Sequence, residues 1–144
     1  MMSACTFFGH KDTPNEIEPL LRAALIVLIE KEQVYEYYVG NQGNFDRIVR
    51  RVLKKLKRIY PKINYAVVLP YLPITQIPTE DYSDTIFPLE KVPPRFAIDR
   101  RNHWMLDQSD FVVTYVWKSW GGAAKFKGIA KKRGLQVMEL FETE

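Results

Sequence analysis

Two hydrophobic rhythms take turns along this chain. Residues 4–8 (Ala-Cys-Thr-Phe-Phe) form a short β-prone run that stops at Gly9-His10-Lys11. Apolar residues then recur at 17, 20, 21, 24, 25, 28 and 29, the three-and-four spacing of one helix face, which predicts a helix to about Glu32. Ahead of it, Thr13 as N-cap, Pro14 at the first helical position and Glu16 three residues after the cap read as a capping box. The β rhythm returns over 34–39 and ends in Gly40-Asn41-Gln42-Gly43-Asn44-Phe45-Asp46. Phe45, Ile48, Val49, Val52, Leu53, Leu56, Ile59 and Tyr60 trace a second helix face, and Pro61 closes it. Arg47, Arg50, Arg51, Lys54, Lys55, Lys57 and Arg58 fill the opposite side.

The pattern repeats in the second half. Residues 64–69 carry continuous apolar positions, the mark of a strand buried on both faces. The stretch 70–94 has no regular period, and Pro70, Pro73, Pro78, Pro88, Pro93 and Pro94 are six of the chain's nine prolines. It reads as a loop insertion, of the kind that serves as a lid or binding loop, with Tyr82-Ser83-Asp84-Thr85 as its polar middle. A third helix is expected from Pro93-Pro94 to about Gln108, then a strand over 111–116, a helix over 122–133 capped by Gly134, and a last strand over 135–140.

Strands alternating with helices predict an α/β fold: one three-layer domain over residues 1–144, with a parallel sheet of about five strands and helices on both faces. In such a sheet every strand-to-helix loop lies at the carboxyl edge, where ligands bind. Gly9-His10-Lys11, the loop from Gly40 to Asp46, and Trp120-Gly121-Gly122-Ala123-Ala124-Lys125 therefore belong to one edge. The last of these follows a strand and opens a helix, so its backbone N–H groups and the helix dipole meet at one point, an arrangement suited to phosphate.

Composition narrows the classes without changing the fold. Among 144 residues, 47% hydrophobic and 26% charged are ordinary globular values, which argues against disorder. The net charge of +4 suits a small anionic ligand but does not by itself argue for nucleic acid. The lone Cys5 fits a reducing compartment and reads as a small buried thiol. No apolar run approaches the ~18 residues of a membrane span. The first strand starts almost at Met1, which leaves no room for a signal peptide, so the expected location is cytoplasmic.

At the candidate site, His10 and Lys11 can reach phosphate or ribose, with Gly9 letting the loop pass close to a ligand. Gly40 and Gly43 are separated by amide residues, and Asn41, Gln42 and Asn44 offer uncharged donors and acceptors for a sugar or base edge. Asp46 can accept from a ribose hydroxyl or simply favour the first turn of its helix. Arg101 falls among Ala97, Ile98, Trp104 and Met105 on one helix face; a guanidinium in an apolar stripe wants an anionic partner, either a ligand phosphate or a structural partner such as Asp110 or a backbone carbonyl. Trp117 and Trp120 can stack on a base or line an interface. His103 reads as an edge residue. No metal-ligand spacing and no nucleophile–base arrangement stands out, so neither a metal nor a cofactor is expected.

Four segments together resemble the SLOG superfamily: Thr6-Phe-Phe-Gly-His-Lys, Tyr38-Val-Gly-Asn-Gln-Gly-Asn-Phe-Asp46, Val92-Pro-Pro-Arg-Phe-Ala-Ile-Asp-Arg-Arg-Asn-His-Trp-Met105 and Trp120-Gly-Gly-Ala-Ala-Lys. The likeness covers nearly the whole chain and is closest to small bacterial members, relatives of the Lonely Guy phosphoribohydrolases and of DNA-processing protein A. It implies a Rossmann-like fold, a nucleotide-derived ligand and a homo-oligomer. In the phosphoribohydrolases the motif is Pro-Gly-Gly-x-Gly-Thr-x-x-Glu, preceded by Arg-x-x-x-Met. Arg101, Met105, Gly121 and Gly122 match; Trp120, Ala124, Lys125 and Gly128 replace the proline, third glycine, threonine and glutamate. The glutamate is catalytic in those enzymes, so its absence argues against glycosidic cleavage.

The expected function is therefore binding of a phosphorylated nucleotide ligand, as sensor, carrier or sequestering module. Gly9, His10, Lys11, Gly40, Asn41, Gly43, Asn44, Arg101, Trp120, Gly121, Gly122, Ala123 and Lys125 are the candidate contacts. Two alternatives stand beside it. One is a phosphoribohydrolase using another carboxylate such as Asp46, Asp84 or Glu90. The other is a nucleic-acid or protein-docking domain that uses the basic face of helix 45–60.

Overall fold

The computed structural model describes residues 3–70, 85–86 and 94–142, with backbone alone at 85, 86, 94 and 95. The elements follow in the order β1 (Ala4–Gly9), a 3-10 turn (Asn15–Ile17), α1 (Glu18–Glu30), β2 (Glu36–Val39), α2 (Gly43–Ile59), β3 (Asn64–Val68), β4 (Thr85–Ile86), α3 (Pro94–Asp107), β5 (Phe111–Tyr115), α4 (Gly122–Lys132) and β6 (Gln136–Glu139). All pairings are parallel, in the order β4-β3-β2-β1-β5-β6. The five expected strands are present within one or two residues of their predicted ends. The addition is β4, a two-residue strand inside the proline-rich segment, whose remaining expected features lie outside the described residues.

Strand alternation sorts the side chains into two cores. Cys5, Phe7, Tyr37, Val39, Val67 and Val113 face α1 and α2, where Leu21, Leu25, Ile48, Val52 and Leu56 complete the larger cluster. Phe8, Val68 and Val112 face the other way, against Met105 and Leu106 of α3 and Phe126 and Ala130 of α4. Helices therefore cover both faces, which makes the domain Rossmann-like and three-layered. Each fully buried aliphatic side chain contributes about 1.5–3 kcal/mol. β3 is buried only at its carboxyl end, Val67 and Val68, because its outer neighbour β4 pairs with those two residues alone.

The expected capping box does not form. Pro14 precedes the 3-10 turn and Ile17 is the N-cap of α1, with no side-chain cap and Pro19 in its first turn. The Thr13 hydroxyl instead turns back to the His10 carbonyl at 2.6 Å, which leaves it buried inside the first loop. At the other end of the chain, α4 stops as expected at Gly134, which has a φ of 77°.

Candidate functional site

The site follows from the strand order. From β1 the chain builds outward through β2, β3 and β4, then returns to β5 on the other flank of β1. The loops after β1 and β5 therefore leave neighbouring strands toward opposite sides, and a crevice opens between them. It is a cavity of about 300 Å³, open to solvent on one side. The first loop supplies Gly9, His10, Lys11 and Asp12; the second supplies Gln42 and Asp46; the β5–α4 segment supplies Lys118, Trp120, Gly121, Gly122 and Ala123. α3 adds Ile98, Arg101, Asn102 and Met105, and β1 adds Phe7 and Phe8.

Three separate loops thus converge as the parallel topology predicts. Of the expected contacts, Gly9, His10, Lys11, Arg101, Trp120, Gly121, Gly122 and Ala123 line the cavity. Gly40, Asn41, Gly43, Asn44 and Lys125 do not. Lys125 points to Asp99, with an ion pair at 2.5 Å. The second loop holds the site together from behind. Gly43 has a φ of 88°, and a Cβ there would fall 2.4 Å from Lys11 Cα; the Asn44 N–H donates to the Lys11 carbonyl at 2.8 Å. Gly9 makes room for packing: a Cβ on it would meet the Phe45 ring at 2.2 Å.

Arg101 is 2% exposed. Its Nη1 donates to the Val68 carbonyl at 3.0 Å and to Asn41 Oδ1 at 3.3 Å, and its Nε donates to Asn102 Oδ1 at 2.8 Å. Its charged neighbour is Asp46, not Asp110, whose carboxylate accepts from the Ala4 N–H. A Cβ on Gly40 would lie 2.7 Å from Asp46 Oδ2 and 2.8 Å from Arg101 Nη1, so the bare glycine leaves the space this buried pair occupies. The Gln42 N–H donates to Asp46 Oδ2 at 2.9 Å. Burial raises the Asp46 carboxyl despite the opposing pull of Arg101, the Gln42 N–H and Arg50. Burial lowers the Arg101 guanidinium, again against the pull of its partner.

His10, 7% exposed, ties two loops together. The backbone N–H groups of Trp117 and Lys118 both donate to its Nε2 at 3.2 Å, which places the ring proton on Nδ1. The Trp117 ring meets it edge-on at 4.3 Å. Burial first, then the Lys118 ammonium, hold the imidazole below its ordinary value, with Asp12 pulling the other way. Lys118 itself reaches Asp12 at 3.0 Å, and that contact keeps the Asp12 carboxyl low.

At the opposite wall α4 begins without a side-chain cap and without an acidic residue in its first turn. Gly121 has a φ of 94° and a ψ of 174°, and a Cβ on either Gly121 or Gly122 would meet nothing within 4 Å. The start of α4 thus offers backbone donors and the positive end of a dipole toward open space. Trp120, 68% exposed, stands beside it.

Of the three amides expected to meet a ligand, Gln42 lines the cavity, whereas sequence reasoning did not single out Asp12, Asn102 or Lys118. Only the flanking positions of Asp12 and Asn102, next to Lys11 and Arg101, gave any signal. Asp84 and Glu90 lie outside the described residues. On the basic face of α2, Arg51 and Lys55 are engaged by Glu18, and Lys57 donates to the Ile63 carbonyl. Among the described residues no group of His, Cys, Asp or Glu is placed to hold a metal ion. Among them, too, no helix is long and apolar enough to cross a membrane.

No model of a known protein family matches the chain, and no curated protein matches it significantly.

Proposed function

We propose that this cavity binds a nucleotide or nucleotide-derived phosphorylated ligand, and that the protein is a SLOG-type sensor, carrier or sequestering module. The observation that carries the reading is the uncapped start of α4. Its glycines border open space in the same cavity as a buried guanidinium, and a phosphate there would gain N–H donors, a helix dipole and Arg101 at once. Trp120 offers a stacking face for a base, and Lys11 and Lys118 add positive charge at the rim. Asn41 and Asn44 of the second loop act indirectly, by holding Arg101 and the first loop in place, while Gln42 lines the cavity itself. The resemblance to SLOG proteins extends the reading to a cytoplasmic homo-oligomer. Leu20 and Val27, exposed on the outer side of α1, are apolar surface for such contacts, and light scattering in solution measures the state.

Calorimetry against mono-, di-, cyclic and ADP-ribose-type nucleotides tests the ligand. The expected result is binding by at least one class. Gly122→Ala should weaken it tenfold or more while leaving stability within about 0.5 kcal/mol, since the added methyl meets no protein atom. Silence across the whole panel would end the proposal.

One observation favours a second reading. Asp46 is a cavity carboxylate whose proton affinity is raised by burial, a property of general acids. A phosphoribohydrolase working through Asp46 would release free base and ribose 5-phosphate from a nucleoside monophosphate. No release from any bound nucleotide would retire it.

A further inference from the structure

His10 is fixed at both ends. Its carbonyl accepts from the Thr13 N–H at 3.1 Å and from the Thr13 hydroxyl, so the backbone cannot drift. Its ring reaches across the crevice, where Nε2 takes two backbone N–H groups from the loop that follows β5. No side chain caps the helix that this loop opens. Among the described residues, the contacts across the mouth between the first loop and the β5–α4 loop are this double acceptance, the Trp117 edge contact and the exposed Lys118–Asp12 ion pair. Exposed pairs of that kind hold weakly.

We propose that His10 is the positioning residue of the cavity: its neutral imidazole, as a double acceptor, docks the β5–α4 loop onto the first loop, so that the wall bearing Trp120, Gly121 and Gly122 is in place only while the ring is unprotonated. A proton on Nε2 would set an N–H against two N–H groups and break both bonds. It would also add a cation beside Lys118. The same geometry removes His10 from the role of general base, since the lone pair a base would use is already shared between two donors. The charged groups facing the ring are Lys118 from the β5–α4 loop and Asp12 from its own loop; Lys11, Asp46 and Arg101 line the same cavity. The consequence for ligands rests on the reading of the cavity as a phosphate site, whereas the docking itself does not.

The test uses the whole 15N-labelled chain and begins without ligand. Amide resonances of Trp117 and Lys118, and the imidazole nitrogens of His10, are followed from pH 8 to pH 5. Wild type should show an unprotonated Nε2 at neutral pH, with both amides shifting together at a midpoint below the ordinary ~6.5 of histidine. His10→Gln, whose Oε1 stands near the place of Nε2, should keep both amides protected with no such transition. His10→Ala should let them exchange roughly tenfold faster at pH 7.5, as expected for two lost bonds. Because Asp46 is present in all three proteins, the difference between wild type and His10→Gln isolates the imidazole. With AMP as probe, whose phosphate takes up a proton at about pH 6 in both cases, wild type should lose more affinity through the His10 midpoint than His10→Gln does. A protonated Nε2 at neutral pH, or unchanged amide protection in His10→Ala, would overturn the proposal. Should His10→Ala not fold, a pH transition of the two amides that persists in His10→Gln would overturn it equally. Amides that obey His10 while AMP binds at no pH would support the docking and count against the nucleotide reading.

Discussion

Arg101 was legible in the sequence as a problem: a guanidinium at three-and-four spacing among Ala97, Trp104 and Met105 must be neutralised somewhere. A backbone carbonyl was among the expected partners, and Val68 supplies it; the charged partner was not legible. Asp46 comes from a different β-α unit, and no spacing along the chain announces that the strand order will set α2's first turn behind α3. Asp110, nearer in sequence, serves the β1 edge instead. The pair also explains Gly40, whose missing Cβ is the space between the two charges. Breaking it strands a buried charge. Arg101→Met should therefore destabilise the fold by about 3–5 kcal/mol, since it removes three hydrogen bonds and leaves Asp46 without its cation. Arg101→Lys, which keeps the charge and loses the fork, should fall between. Urea midpoints measure both, and a cost under about 1 kcal/mol for the methionine variant would mean that the pair is dispensable to the fold.

At the scale of elements, periodicity carried most of the information. α2 was the clearest, with its apolar face and basic face read directly, and Ile48, Leu53 and Leu56 are fully buried as that face requires. The start of α1 misled because Thr13, Pro14 and Glu16 satisfy a local rule that tertiary contact overrides: Thr13 is needed to fix His10, so Pro14 opens a 3-10 turn instead. β4 was invisible, since two residues have no period. The two glycine-initiated helices differ in a way sequence cannot show. Gly43 and Gly121 both have positive φ, but a Cβ on Gly43 collides with the Lys11 backbone whereas one on Gly121 enters open space. Gly121→Ala should thus cost about 1–2 kcal/mol, for backbone strain alone. Gly43→Ala should cost about 3 kcal/mol or more, because a backbone neighbour must also move. Equal losses in denaturation would show that the first loop gives way freely and does not need α2 to hold it.

For the whole molecule, the alternation of strands and helices was enough to give a parallel three-layer sheet, and hence one carboxyl edge carrying all three glycine-bearing strand-to-helix loops. What alternation does not supply is strand order, and the order decides which loops part. With β1 central, the loops after β1 and β5 diverge, and buried titratable groups collect at that point: His10 on one side, Asp46 with Arg101 on the other. Their signs under acid are opposite. His10 is lowered on folding, so its contribution to stability is complete above about pH 6.5 and is lost as pH falls through its folded value. Asp12, Glu18 and Glu139 are also lowered, by their lysine and arginine partners, so their contributions disappear further down. Asp46 is raised: folding takes up its proton more readily than the unfolded chain does, and stability is regained as pH falls through its folded value toward the ordinary carboxylate range. An asparagine cannot make that gain. Asp46→Asn should therefore fall progressively further behind wild type as the pH drops from 7 toward 4, read as the gap between their urea midpoints. A gap that narrows on acidification would mean that Arg101 outweighs burial at this carboxylate, and that the pair rests as a fully compensated ion pair beneath the cavity.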